Sequence, residues 1–186
     1  MKKLLCFLTI LFVGVFCSAC INNYAVQQLN KMAKKYLDEG DLAAAAARLE
    51  SSIDLDGNIY ESRYNLASLY MDMGICDKAL SQINEASKLI ENEPAVYYIQ
   101  ATANVCLADR IYNAKMLDGS TKKIVYTNKK EAAEKAIDYV KYLTDANTAF
   151  NEYLKLATTT EETQDIATQI SINNSNIQKI SSVYKL

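Results

Sequence analysis

The spacing of apolar residues in the C-terminal third of the chain predicts helices. Between residues 129 and 157 apolar side chains recur at the three- and four-residue intervals that place them on one face of an α-helix. A run of threonines that favours a helix start follows, and the same spacing then continues from 161 to 183. We predict one long helix, or two abutting helices with a break near Asp145, for 129–157 and a last amphipathic helix for 161–183. The pattern is carried by Ala136, Val140, Leu143, Phe150, Leu154, Ala157, Ile166, Ile170, Ile177 and Ile180.

The N-terminal half contains an internal repeat with a period of 34 residues. Shifting the chain by this period pairs small residues with small ones and bulky residues with bulky ones. Small residues let two helix axes approach closely, and bulky side chains fill the gaps between them. The repeat therefore predicts antiparallel helical hairpins. The pairs are Ala33 with Ala67, Tyr36 with Tyr70, Gly40 with Gly74, Ala45 with Ala79, Leu49 with Ile83 and Ser52 with Ala86.

Turn residues follow the same period. Gly40 and Gly74 stand between the two helices of each hairpin, where a glycine adopts the left-handed conformation that ends a helix. Asp41 and Asp77 lie near the start of the next helix, where acidic side chains are favoured. Pro94, the only proline of the chain, is expected to open a further helix.

These residues resemble the tetratricopeptide repeat family, with repeats at 26–59 and 60–93 and a degenerate third repeat from residue 94. The third keeps Tyr97 and Ala101 at a large and a small position, but Gln100 replaces the usual leucine and Asn104 the usual aromatic residue. The resemblance implies an all-α fold, in which helical hairpins form a short right-handed solenoid and the long C-terminal helices cap it. We expect a single helical domain at 26–186.

The repeat pattern ends after Cys106. We expect the helix there to continue to about Leu117 and an irregular insertion to follow at 118–128. The insertion contains Gly119-Ser120 and the short alternating run Ile124-Val125-Tyr126. Such a segment could form a loop or a small extended flap.

The N-terminus has the pattern of an export signal. Lys2 and Lys3 precede an apolar stretch that, at ~21 Å as a helix, is too short to cross the ~30 Å hydrocarbon core of a bilayer. Cys17-Ser18-Ala19-Cys20 then resembles the lipobox of bacterial lipoproteins. The resemblance implies that residues 1–19 are removed as a signal peptide, that the Cys20 thiol is lipidated and that 20–25 form a linker. The alternative is ordinary cleavage and a free secreted protein.

A lipid on Cys20 would place the protein in the cell envelope. The residue after the cysteine is Ile21 rather than aspartate. In an envelope of the enterobacterial type this implies the outer membrane.

Charge and composition narrow the classes of function. The net charge is −2, and it falls to −4 when Lys2 and Lys3 leave with the signal, so we expect no nucleic-acid partner. The chain has no histidine, Gly-rich phosphate loop or Cys-x-x-Cys; we expect no metal, no cofactor and no catalysis. Residues 54–58 superficially resemble a calcium loop, but the glycine comes two residues early and the closing glutamate is missing. We interpret them as a turn between repeats.

Two cysteines of the exported part, Cys76 and Cys106, are candidates for a disulfide. If 76–90 and 95–108 form an antiparallel hairpin that turns near residue 91, each cysteine lies 15 residues from the turn and both fall at the same end. A disulfide closing so long a loop would stabilise the fold by about 3 kcal/mol. The alternative is two buried thiols that pack as small apolar groups.

The resemblance to the repeat family also implies a binding surface. In that family the first helix of each repeat lines a concave groove, and ligand peptides lie across it. Tyrosine and methionine at such positions supply contact area at little ordering cost. Alternatively, Tyr64, Met71 and Tyr98 pack against the cap or the C-terminal helix, which would then fill the groove. The residues carried over to the groove are Gln27, Asn30, Lys34, Glu61, Tyr64, Ser68, Met71, Tyr98 and Thr102.

These patterns predict a lipid-anchored envelope protein that binds other proteins through its groove and catalyses nothing. Its layout resembles lipoproteins that act as pilotins or as accessory parts of assembly machines. A second hypothesis is an exported binding protein whose 118–128 segment, with Lys122 and Lys123, contacts the cell wall or another acidic ligand. An enzyme of an unfamiliar type is the third hypothesis.

Overall fold

The structure, a computed structural model, describes residues 23–113 and 129–186. These two ranges contain seven helices and no strand, and the predicted all-α fold is confirmed. The first helix, α1, occupies 23–38. The other helices are α2 (Leu42–Leu55), α3 (Tyr60–Asp72), α4 (Cys76–Ala86), α5 (Pro94–Asn113), α6 (Lys129–Leu156) and α7 (Thr160–Tyr184).

The turns within the first two hairpins have the predicted chemistry. Gly40 and Gly74 have φ angles of 78° and 69°, in the left-handed region that costs glycine little. The Asp41 carboxylate accepts a hydrogen bond from the Ala44 amide at 2.9 Å and so caps the start of α2. Pro94 is the first residue of α5, as its fixed φ angle and missing amide hydrogen favour.

The turn between the repeats is held by its own polar groups. The Asp56 carboxylate accepts a hydrogen bond from the Asn58 amide at 2.9 Å, and Arg63 Nε donates to the Gly57 carbonyl at 2.7 Å. Both bonds join residues of the turn to each other or to α3. The predicted turn at 54–58 is therefore shorter than expected, since Asp54 and Leu55 still belong to α2.

The repeated small and bulky residues form the core of the hairpins. Ala45, Ala67, Ala79, Ala86 and Ile83 have no exposed surface, and Ala33, Leu49 and Tyr70 are at most 3% exposed. One apolar cluster joins α1 to α5 through Ala33, Leu49, Leu66, Leu69, Ala79 and Ala103. The 34-residue pattern therefore marks the side chains that hold neighbouring helices together.

The C-terminal helices continue the stack. On α5 and α6, Ala101 packs with Phe150 and Ala108 with Leu143, so these helices are antiparallel. On α7, Ile166 joins the cluster of Phe150, and Ile177 packs against the cluster of Leu143, so α7 is antiparallel to α6. Helix α6 therefore lies between α5 and α7.

Helix α6 is a single helix. It runs past Asp145 to Leu156, so the alternative of two abutting helices with a break near Asp145 is wrong. Its sequence contains no glycine or proline, and the Asp145 carboxylate pairs with Lys141 one turn earlier at 3.1 Å, an arrangement that supports a helix.

Helix α1 begins before the first repeat. It includes residues 23–25, which the sequence analysis assigned to the linker at 20–25. The Asn23 side chain accepts a hydrogen bond from Gln27 Nε2 at 2.8 Å, and this bond one turn apart supports the extra helical residues.

Amide side chains fix α7 on α6. Asn173 is 1% exposed, and its Nδ2 donates to Asn147 Oδ1 at 2.8 Å. Asn147 Nδ2 donates in turn to Asn174 at 2.9 Å, and Gln169 Nε2 donates to Asn173 at 2.9 Å. A shift of α7 along α6 would leave the buried Asn173 amide without partners, so the network defines the register of the two helices.

Candidate protein-binding groove

Residues of α1, α3 and α5 at equivalent repeat positions define the candidate groove. Asn30, Tyr64 and Tyr98 are each separated by 34 residues, as are Lys34, Ser68 and Thr102. All but Lys34 and Tyr98, which are exposed, are half-buried. Two recesses between these helices contain most of the predicted groove residues.

The first recess lies between α1 and α3 and has a volume of about 260 Å³. Asn30, Lys34 and Ser68, three of the predicted residues, line it together with Asn65 and Asp72. The recess contains one positive and one negative side chain, Lys34 and Asp72, together with uncharged polar side chains. Such groups can form hydrogen bonds with a peptide main chain.

Asn30 also has a structural role. Its side-chain amide donates to Ser62 Oγ at 3.0 Å, and Ser62 Oγ lies 2.9 Å from Ser52 Oγ on α2. Both serines have no exposed surface. These hydrogen bonds join α1, α2 and α3. A ligand that bound the Asn30 side chain would compete with Ser62 for it.

The second recess, here called the aromatic cavity, lies between α3, α5, α6 and the start of α7 and has a volume of about 530 Å³. It brings together the predicted Tyr64 and Tyr98. Its wall also includes residues that the sequence analysis did not assign to the groove: Glu93, Tyr153, Asp165 and Ile166.

Tyr98 lies at the centre of this aromatic surface. Its ring centroid is 5.8 Å from that of Tyr153 and 6.5 Å from that of Phe150, so it packs against α6 as the second alternative expected. It is nevertheless 46% exposed. The C-terminal helices therefore form one wall of the aromatic cavity and leave it open.

Tyr64 belongs to the opposite wall. Its ring stacks on that of Tyr60 with centroids 5.6 Å apart. Burial, followed by the nearby charge of Glu93, raises the pKa of Tyr60 to about 12, because both factors disfavour a phenolate. Tyr60 therefore stays a neutral aromatic support for Tyr64 at physiological pH.

The other predicted residues stand apart from the aromatic cavity. Gln27 and Glu61 are exposed and line neither recess. Met71 packs against the apolar clusters between α3 and its neighbours. Thr102 Oγ1 donates to the Tyr98 carbonyl of its own helix at 2.9 Å and lines a smaller recess beside the cavity.

Comparison with known proteins agrees with this geometry. Residues 36–103 match the family model described as tetratricopeptide repeat. This segment of the chain carries tetratricopeptide repeats. No curated protein sequence is significantly similar to it.

Solved tetratricopeptide domains share the fold. The first such domain of human RPAP3 has a TM-score of 0.55 and 17% identity, covering 82% of this chain and 97% of that one. The first such repeat domain of Spaghetti (RPAP3), bound to the HSP90 peptide SRMEEVD, has a TM-score of 0.52 and 17% identity, covering 88% and 95%. The Yersinia enterocolitica type III secretion chaperone SycD, in complex with a peptide of the translocator YopD, has a TM-score of 0.50 and 15% identity, covering 83% of this chain and 91% of that one.

The tetratricopeptide match explains which cavity residues the sequence could indicate. Tyr64 and Tyr98 lie inside the matched segment at equivalent positions. Tyr153, Asp165 and Ile166 lie beyond residue 103, where the match ends, and only the packing of α6 and α7 brings them to the cavity. For Asp165 and Ile166 the only sequence signal is the predicted amphipathic helix at 161–183. An amphipathic pattern does not specify in which direction the helix runs or on which helix it packs.

The two candidate disulfide cysteines lie together near the opposite end of α5 from Pro94. Cys76 begins α4, and its sulfur is bonded in the structure to that of Cys106 on α5, with Cα atoms 6.1 Å apart. That separation falls in the usual range for a disulfide. Arg110 pairs with Asp77 at 3.2 Å beside them, so two links join the start of α4 to the C-terminal half of α5.

Other predictions concern residues outside the described ranges. The signal at 1–19, Cys20 and the insertion at 118–128 with Lys122 and Lys123 are among them. Among residues 23–113 and 129–186, no group of three or more Cys, Asp or Glu side chains is placed to hold a metal ion. In those ranges no helix combines the length and the apolar character needed to cross a membrane.

Proposed function

We propose that this chain is a non-enzymatic binding module that takes a segment of a partner protein into the groove of α1, α3 and α5. The observation that carries the proposal is the open aromatic cavity between α3, α5, α6 and α7. Half-exposed aromatic side chains in a concave surface offer apolar contact area without rearrangement of the domain, and such residues dominate the energy of protein interfaces.

The dimensions of the cavity support a peptide as the ligand. Its volume of about 530 Å³ lies within the range of pockets that enclose small ligands or a few side chains. The recess between α1 and α3 adds a polar region about 260 Å³ in volume. An extended segment lying across α3 would reach both recesses.

The peptide complexes of similar folds provide further support. The Spaghetti domain is bound to an HSP90 peptide, and SycD is in complex with a peptide of YopD. Because their identity to this chain is low, the similarity extends to the fold alone. The side chains of each groove determine which ligand binds.

We further propose that a lipid on Cys20 holds the module at the cell envelope. The support is the sequence Cys17-Ser18-Ala19-Cys20 after a short apolar stretch. A protein partner of the same envelope would then meet the groove at high local concentration. The absence of histidine from the sequence supports a non-catalytic role, because histidine is the commonest general acid and base.

Chemical crosslinking in intact cells followed by pull-down from membranes tests this proposal. We expect a defined envelope protein to be captured by the full chain and lost from the Tyr64→Ala/Tyr98→Ala variant. The matched control is Tyr142→Ala/Tyr184→Ala, which removes two tyrosines that do not line the aromatic cavity. Circular dichroism checks that each variant remains helical.

A Cys20→Ala variant in the same experiment tests the anchor. We expect it to leave the membrane fraction, because the thiol that accepts the lipid is gone. An unchanged set of crosslinked proteins in the folded tyrosine variant would contradict the groove proposal, and an unchanged membrane fraction for Cys20→Ala would contradict the anchor.

A further inference from the structure

We propose that the aromatic cavity selects a basic side chain, arginine or lysine, from the bound segment. This inference rests on the proposed function, because it assumes that the groove binds a peptide. It adds the chemistry of the partner: a segment with a positive charge, whose cation lies between tyrosine rings and two carboxylates.

The rings are arranged to contact a cation. Tyr98 and Tyr153 have centroids 5.8 Å apart and planes inclined by 53°, so they form two sides of a corner. Tyr64 stands on α3 across the cavity. The face of an aromatic ring is negative and attracts ammonium and guanidinium groups, and arginine also stacks on it.

Two carboxylates share the cavity with these rings. Glu93 precedes α5 and is half-buried, and Asp165 lies exposed in the second turn of α7. Neither forms an ion pair with a lysine or arginine of the described ranges. The Glu93 carboxylate accepts a long hydrogen bond from the Ala95 main-chain amide at 3.4 Å. No lysine or arginine of residues 23–113 and 129–186 neutralises either carboxylate, so both favour a positively charged ligand.

The basic side chains closest in sequence to the cavity residues point to other partners. Arg63, next to Tyr64, donates to the Gly57 carbonyl at 2.7 Å and to Gln82 at 3.0 Å. Lys155, near Tyr153, pairs with Glu152 at 2.6 Å. The cavity wall itself contains no lysine or arginine among the described residues.

A smaller recess extends the cavity along α5. It has a volume of about 220 Å³ and shares Tyr98, Asp165 and Ile166 with the aromatic cavity, adding Thr102 and Gln169. Asp165 therefore stands where the two spaces meet. A peptide that follows α5 would pass this carboxylate with its cation next to Tyr98.

Binding of oriented peptide pools to the full chain tests the inference. Each pool contains nonapeptides with random flanking residues and one fixed central residue, which is arginine, lysine, citrulline or glutamate. Citrulline has the shape of arginine without its charge. We expect the arginine and lysine pools to bind about tenfold more tightly than the citrulline pool, which corresponds to ~1.4 kcal/mol, and the glutamate pool to bind most weakly.

Neutral variants of the protein locate the preference. Glu93→Gln/Asp165→Asn should bring the arginine and citrulline pools to similar affinity. The control Glu91→Gln/Asp54→Asn changes the net charge of the protein equally at two exposed positions outside the cavity and should leave the preference intact. Tyr98→Leu keeps an apolar side chain without the aromatic face and should reduce the preference in part.

Equal binding of the arginine and citrulline pools to the unsubstituted chain would overturn the inference. So would an equal loss of preference in the cavity variant and in its control. If the pools bind without charge preference but still require Tyr64 and Tyr98, the proposed peptide-binding function stands and only the basic selectivity fails. Crosslinking to the envelope partner judges the proposed function separately, since it requires no particular charge.

Discussion

Tyrosine hydroxyls at several helix interfaces have environments that disfavour their charged form. Tyr139 is 4% exposed, and burial together with the charge of Asp109 raises its pKa to about 12. Tyr70 is 3% exposed; burial and its hydrogen bond to the Glu50 carboxylate raise its pKa as well. In each case the neutral phenol is the form that fits the folded chain.

This environment predicts loss of stability at alkaline pH. A phenol with a raised pKa in the folded state and an ordinary pKa near 10 in the unfolded chain contributes stability that is complete below about pH 10. That stability is lost as the pH rises toward about 12, the value for Tyr60 and Tyr139. We expect part of the phenolate absorbance to appear only with loss of helical circular dichroism.

The control is the same titration in denaturant, where all 13 tyrosines should ionise near pH 10. In Tyr139→Phe the alkaline loss of stability should be smaller than in the unsubstituted chain. If every phenol of the folded protein titrates near pH 10, the description of these interfaces is wrong.

At the scale of helices, the repeat period predicted the first two hairpins because it records contacts between neighbours in sequence. Gly40, Gly74 and Pro94 define where helices end or begin, and Ala67 or Ala79 show where two axes approach. The single long α6 could not be chosen over two helices, because the apolar spacing around Asp145 fits both. The register of α7 depends on Asn147 and Asn173, which are 26 residues apart and have no periodic signature.

The link between α4 and α5 gives a prediction at this scale. We expect Cys76 and Cys106 of freshly exported protein to resist alkylation until a reductant is added, as measured by mass spectrometry. Removing the bond in Cys76→Ala/Cys106→Ala should lower the free energy of unfolding by about 3 to 4 kcal/mol, because the loop of 30 residues is no longer closed in the unfolded chain.

The matched control is the unsubstituted chain in reductant, which retains both thiols and isolates the bond from the loss of side-chain volume. Alkylation of both cysteines without reductant would contradict the disulfide and favour two buried thiols. The stability of the reduced chain would then equal that of the untreated protein.

At the scale of the whole molecule, some residues of the candidate groove could be predicted from the sequence and others could not. Tyr64 and Tyr98 follow from the repeat and its family. Glu93 immediately precedes α5 and lies within the matched segment, whereas Tyr153 and Asp165 meet these tyrosines only because α6 and α7 pack beside α5. Their proximity depends on contacts between residues that are distant in sequence, and one chain read alone carries no signal for such contacts.

The central claim is that a partner protein lies in the groove of α1, α3 and α5, and site-specific photocrosslinking in cells tests it most directly. A photoreactive amino acid is placed at Ser68 or Thr102, which line recesses of the groove, or at the exposed Asp54 or Ser81 of α2 and α4. We predict that the same partner is captured from Ser68 and Thr102 and is absent from Asp54 and Ser81. Capture from Asp54 or Ser81, with none from the groove, would contradict the account.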